Sequence, residues 1–245
     1  MRILLVTLFV LFNLTETGMA QTLGLETLTG PRNGQTSGQI IQLFGLLTVL
    51  AVAPGILVVV TSFTRFIIAF SILRMGIGLQ TTPANLILIS LSLFMTFHVM
   101  SPTFDRAWTQ GIQPLVNEQI TEAEAFEKIA GPFKEFMVKN VREKDLDLFS
   151  DIAQENDPSF TPSEEVALRV IVPAFMISEI RRGFEIGFLI LVPFLVIDLI
   201  VATITMAMGM MMLPPTVVAL PFKVLFFVLI DGWNLLVGSM MRSFL

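Results

Sequence analysis

Side chains able to do chemistry are scarce in this chain, and they concentrate in two places. Between Thr205 and Pro215 the sequence reads TMAMGMMMLPP, with Met206, Met208, Met210, Met211 and Met212 grouped around Gly209. Thioethers are soft donors that suit Cu(I). They are also unbranched, flexible and polarizable, so they can fill a core or line a soft seal that closes yet yields to a passing chain. On the residues alone all three readings stand open. The second constellation is ionic. Asp198 and Lys223 lie almost equally far before and after the centre of the methionine stretch. If the apolar runs that flank the stretch form an antiparallel hairpin, these opposite charges sit at the same height along it. A lone charge in such surroundings is expensive and a paired one tolerable. Asp198 and Lys223 are therefore expected to pair, within one subunit or across to a neighbour. Glu179, Arg65 and Arg74 are further charges in apolar surroundings, expected in buried ion pairs or at subunit contacts, and Arg181, Arg182, Glu185 and Asp231 offer more partners.

Other chemistries are closed off. The chain has no cysteine, which excludes disulfides, thiolate nucleophiles and Cys-based zinc sites. It has no tyrosine, and its single histidine, His98, reads as a packed or interfacial residue near a helix end. An intramembrane aspartyl protease would need Asp198 and Asp231 to face each other, but Asp198 is height-matched with Lys223. A metal or small-solute transporter using Met thioethers would want Met pairs along helices together with His or Cys ligands. Here the methionines crowd one turn. No enzymatic activity, cofactor or metal is expected.

The elements that must position these groups are apolar helices. Of the 245 residues, 54% are hydrophobic and 14% charged, and mean hydropathy is +0.79, far from a soluble domain. The net charge of −5 conceals an asymmetry, because residues 101–165 hold 14 acids against 6 bases. That block is the soluble part, and nothing in it suggests a nucleic-acid partner. Residues 1–20 carry Arg2, an apolar run Ile3 to Phe12 and a small-residue site at Gly18–Ala20, the pattern of a cleavable signal peptide. Residues 21–38 read as a mobile lead-in. Residues 39–100 hold the N-terminal apolar helices: Gln39 to Val60 with a kink expected at Pro54-Gly55, Thr61 to Leu79 carrying Arg65 and Arg74 on opposite sides, and Ala84 to Met100 ended by Ser101-Pro102. The acidic insertion, 101–165, is expected to be helical and periplasmic. Thr121 and Glu124 form a capping-box pattern opening a helix to Ile129, and an amphipathic stretch follows from Pro132 to Asp151. Residues 166–245 read as a segment Val166 to Ile180 and then a hairpin, Gly183 to Ile204 and Thr216 to Met241, enclosing the methionine turn. The charges fit no simple four-span scheme, so some helices should pack on protein rather than lipid, which points to an oligomer.

Two stretches, PAFMISEIRRGFEIGF (Pro173 to Phe188) and PFKVLFFVLIDGW (Pro221 to Trp233), resemble the signatures of the FliP family of flagellar type III export proteins. Thr61 to Pro102 and the methionine turn are similar to that family too. The resemblance spans the mature chain, and the leader favours the flagellar branch over the injectisome one. It implies an all-α membrane protein whose helical hairpins assemble into an oligomeric pore, with a small helical periplasmic insertion. It further implies a pentamer joined by FliR and FliQ in the core of the export gate, working with FlhB and FlhA. That core would lie in the inner membrane within the flagellar basal body, with substantial periplasmic exposure, and pass unfolded rod, hook and filament proteins outward. In this picture Met206, Met208, Met210, Met211 and Met212, around Gly209, act as a gasket at the constriction.

Overall fold

The computed structural model describes residues 35–157, 167–209 and 214–244, and every regular element among them is helical. The expected signal peptide, nearly all of the expected lead-in and most of the loop after the insertion lie outside the described residues. The chain divides into two compact units, Met1–Pro54 and Gly55–Leu245. In the first, α1 (Gln35–Val60) already begins at Gln35, inside the stretch expected as lead-in. Its Leu43, Phe44, Leu47 and Val52 are all exposed. A helix apolar on every side suits lipid or another chain rather than water.

The second unit is built on α2 (Phe63–Ile77) and α7 (Leu168–Ala207). The end of α1 and α2 meet at 82°, with the Thr61 hydroxyl donating back to the Leu57 carbonyl at 2.7 Å. Gly78, at φ +91°, closes α2 and returns its N–H to Met75 O. The sequence suggested two separate segments where α7 is one helix of 40 residues, about 60 Å long. Parallel to it, α2 lies at a constant offset: Gly183 faces Ile68, Gly187 faces Ile72, and Gly76 faces Leu191 and Phe194. A Cβ on Gly187 would stand 2.4 Å from Ile72 Cδ1 and 2.9 Å from its Cβ. The close approach therefore requires glycine there.

Two expected stops do not occur. Rather than ending at Ser101-Pro102, α3 (Asn85–Ala107) runs through Pro102 and continues as a π turn, Trp108–Ile112, and a short α4 (Gln113–Val116). Met100, Thr103 and Ala107 are buried around the proline, so packing outweighs the lost hydrogen bond. Likewise α5 (Glu122–Asn140) passes through Pro132, and the break comes at Val141-Arg142, before α6 (Glu143–Asn156). The Arg142 amide donates to Ser178 Oγ on α7 at 3.1 Å, a tertiary partner that replaces a helical one. The apolar run to Met241 is also not continuous. It bends by 62° between α8 (Pro215–Leu229) and α9 (Gly232–Arg242), at Asp231, whose φ is +51°.

The core joins Phe66, Phe70 and Leu73 of α2 to Phe136 and Met137 of α5, Ile171 and Phe175 of α7, and Met240 of α9. Among the described residues two stretches, Asn85–Val116 and Leu168–Ala207, are long and apolar enough to cross a membrane, or up to four if each bent pair counts as one span.

Two outcomes follow from this packing. Gly187→Ala should destabilise the unit by about 1–3 kcal/mol, the usual range for overpacking, and Ile72→Ala should recover part of the loss in thermal unfolding in detergent. The second outcome concerns the capping box. Thr121 Oγ1 accepts from the Glu124 amide, and Glu124 Oε2 accepts from the Thr121 amide at 3.0 Å. That backbone N–H holds the Glu124 carboxyl below its ordinary value. Its support of α5 is present above the unfolded carboxylate pKa and lost as pH falls through the lower folded one. Amide exchange of the first turn of α5 should rise, relative to the rest of the helix, on acidification, and Glu124→Gln should remove the pH dependence. A first turn equally protected across that window in the native sequence would disprove the assignment.

Candidate functional site

Four of the charged residues singled out by the sequence, Arg65, Glu179, Asp198 and Lys223, form two clusters strung along α7. The first is fully buried. Arg65 of α2 and Glu179 of α7 have no exposed side-chain surface. Arg65 Nε donates to Glu179 Oε2 at 2.8 Å and Nη2 donates to Glu179 Oε1, a two-pronged fork. Nη1 donates to Ser243 Oγ at 2.8 Å and to the Ser243 carbonyl at 3.3 Å, and the guanidinium lies 3.6 Å over the Phe244 ring. Guanidinium suits this place because its planar donors match a carboxylate while its face stacks on an aromatic. Sequence reasoning listed Arg65 and Glu179 as buried charges without pairing them, and it missed Ser243 and Phe244. The available signal was charge balance, since an arginine and a glutamate stranded in apolar helices must find each other.

In the second cluster Lys223 of α8 donates from Nζ to Asp198 Oδ2 at 2.6 Å and to the Gly76 carbonyl, at the end of α2, at 3.0 Å. The lysine side chain is 6% exposed and the aspartate 30%. Asp198 Oδ1 is buried and accepts no hydrogen bond among the described residues. Close by, Phe194 of α7 meets Phe226 and Phe227 of α8, each at 6.2 Å between ring centroids. These contacts fix α7 and α8 as an antiparallel hairpin with Asp198 and Lys223 level. A cavity of about 850 Å³ opens beside the pair, lined among others by Arg74, Gln80 and Thr216. Arg74 itself is turned to the α2–α3 connection, donating to the Pro83 carbonyl at 3.3 Å and to Asn85 Oδ1. Among the described residues no carboxylate pairs with it. Asp231 lies exposed at the α8–α9 corner while Asp198 is engaged by Lys223, so no aspartate pair forms. Arg181 and Glu185 pair at 2.9 Å on the surface, where such contacts contribute little. His98 lines a polar cavity with Arg106, Glu135 and Lys139.

At the hairpin tip, Met206 and Met208 are each 59% exposed. Gly209 follows with φ +74°, the left-handed conformation that ends a helix at little cost to glycine. Its N–H returns to Met206 O at 3.0 Å. Pro214 and Pro215 then open α8, with Pro215 at the first helical position, where a missing N–H costs nothing. Met210, Met211 and Met212 lie outside the described residues. Just below the tip, α7 and α8 border an apolar groove of about 460 Å³, lined by Ile200, Val201, Ile204, Met208, Val218 and Phe222 among others. Among the described residues no group of three or more His, Cys, Asp or Glu side chains could hold a metal ion.

Residues 46–240, which contain both ion pairs and the methionine turn, match the FliP family. The chain belongs to the FliP family. It is 66% identical over 226 residues to the flagellar biosynthetic protein FliP of Rhizobium meliloti, covering 92% of each chain. It is 63% identical over 240 residues to that of Agrobacterium fabrum, covering 98% of each. With the FliP of Bacillus subtilis it shares 48% over 204 residues, 83% of this chain and 91% of the other. This FliP-family chain is thus a membrane-associated protein of flagellum biogenesis and protein export, not an enzyme.

Breaking a fully buried pair by removing one partner costs about 3–5 kcal/mol, and the partial exposure of Asp198 makes that range an upper bound here. Asp198→Lys and Lys223→Asp should each reduce recovery of folded, assembled protein from membranes. The double swap should restore part of it. A double swap no better than either single change would mean that the contact does not hold the hairpin.

Proposed function

We propose that the chain is a pore-forming core subunit of the flagellar type III export gate, passing unfolded rod, hook and filament proteins across the inner membrane. The observation that carries this reading is the FliP-family match across residues 46–240. The subunit is a homo-oligomer, a pentamer in the proposed arrangement, joined by FliR and FliQ and working with FlhB and FlhA. The acidic insertion, 101–165, faces the periplasm, residues 1–20 are a cleaved signal peptide, and the hairpin of 166–245 carries the gate.

The methionine turn is the gasket. Its support is physical. The turn sits at the tip of a hairpin whose register is set by an ion pair, with Met206 and Met208 already turned outward. Copies of such tips brought together would present flexible thioether side chains, able to close on one another and reshape around a chain of varying sequence. Gly209 and Pro214-Pro215 keep the turn from continuing as a rigid helix. Asp198, Lys223, Glu179, Arg65 and Arg74 hold the frame behind it.

Changing Met206, Met208, Met210, Met211 and Met212 to alanine together should leave the complex assembled while letting ions leak across the membrane. Filament-protein secretion and ion leak would be measured side by side in a strain carrying only this variant. Normal ion tightness with intact assembly would reduce the methionines to packing and put the constriction elsewhere.

A further inference from the structure

Phe244 is 8% exposed and sits where three elements meet. Its ring lies 5.5 Å from that of Phe66 on α2 and stacks at 6.1 Å on Phe136 of α5, which itself meets Phe175 of α7 edge-on at 5.8 Å. One face covers the Arg65 guanidinium at 3.6 Å. Ser243, the residue before, is equally committed. Its Oγ lies 2.6 Å from the Met240 carbonyl, to which it donates, so it meets Arg65 Nη1 as an acceptor. Without Ser243, Nη1 would lose both of its protein acceptors, the Oγ and the carbonyl. Phe244 and Phe136 also line a cavity of about 500 Å³ together with His98, Arg106, Glu135, Lys139 and Asn140. Phe244 thus borders both this cavity and the buried ion pair.

We infer that Ser243 and Phe244 form a strap that closes the second unit over Arg65 and Glu179, excluding water from the pair and tying the acidic insertion, through Phe136, to the membrane-grade helices α2 and α7. Water exclusion matters because the Arg65–Glu179 attraction is several-fold stronger in a dry setting than beside solvent. The tie matters because α5 reaches α2 and the C-terminal segment through this aromatic contact. The strap depends on packing alone and stands independently of the export reading.

Hydrogen exchange on the full chain in detergent micelles tests it. Phe244→Ala should raise exchange about tenfold in two separated places, residues 63–70 of α2 and 133–140 of α5, since opening a local packing unit exposes all of its amides together. The hairpin around Phe194 should stay as protected as before. Phe244→Leu, which keeps apolar volume but offers no ring face to the guanidinium, should give an intermediate rise, and Ser243→Ala a smaller one. Faster exchange confined to residues 240–244, with α2 and α5 unchanged, would overturn the strap. Where the alanine variant does not accumulate, the Leu and Ser243→Ala variants carry the test, and a native pattern in both overturns it.

Discussion

Two full charges without solvent, Arg65 and Glu179, constrain everything else in the second unit. Their desolvation offsets most of their attraction, so the pair adds little net stability, but leaving either alone would be severe. What it imposes is register. A slip of one residue along α7 turns Glu179 by about 100° and separates the fork from its carboxylate. The rest of the interface repeats the same register. Glu179, Gly183 and Gly187 follow one another at four-residue spacing on one stripe of α7, and Leu191, Phe194 and Asp198 continue it. Opposite them Arg65, Ile68, Ile72 and Gly76 descend α2 in step. Glycine permits the approach and the ions forbid every other alignment.

The same stripe carries the order onward to the tip. Lys223 reaches from α8 to both Asp198 and the Gly76 carbonyl, so one ammonium joins three helices. Glu179 and Asp198 stand about 28 Å apart along α7, which means that the long helix is anchored at two heights rather than one. The hairpin beyond Asp198 is held at its base by these ionic contacts and along its flanks by buried Val201, Thr205 and Ala219.

Much of this was legible in sequence because apolar surroundings make each charge informative. Equal spacing about the methionine turn was enough to match Asp198 with Lys223, since a hairpin has only one way to bring them level. Thr121 and Glu124 announced the start of α5 by local chemistry. The errors have a common cause. Ser101-Pro102 was read as a helix stop and Pro132 as the start of a new stretch after a helix ending at Ile129, yet buried neighbours on either side hold α3 and α5 together through both prolines. The break after Asn140 had no local signal, because its stabilising partner, Ser178, is 36 residues away. Arg65 lies 114 residues from Glu179 and 178 from Ser243, beyond the reach of any periodicity. Tertiary contacts decided each of these points.

The stripe of α7 that faces α2 leaves another part of its surface uncovered. Phe184, Phe188, Val192, Leu195 and Leu199, again at three- and four-residue spacing, are exposed, as are Phe222, Leu225 and Val228 on α8. Faces this apolar and this continuous are not tolerated against water. Lipid would cover them without choosing an orientation. Protein would read their spacing, because ridges at three and four residues select particular crossing angles. The internal register locks α7 against rotation, so these outward side chains are presented at fixed heights and directions. A helix free to turn could not offer a repeatable surface to identical neighbours, whereas one pinned by buried charges can. The ionic clusters thus act on both sides of the helix: they hold the fold within the chain and fix the geometry of the face it offers outward.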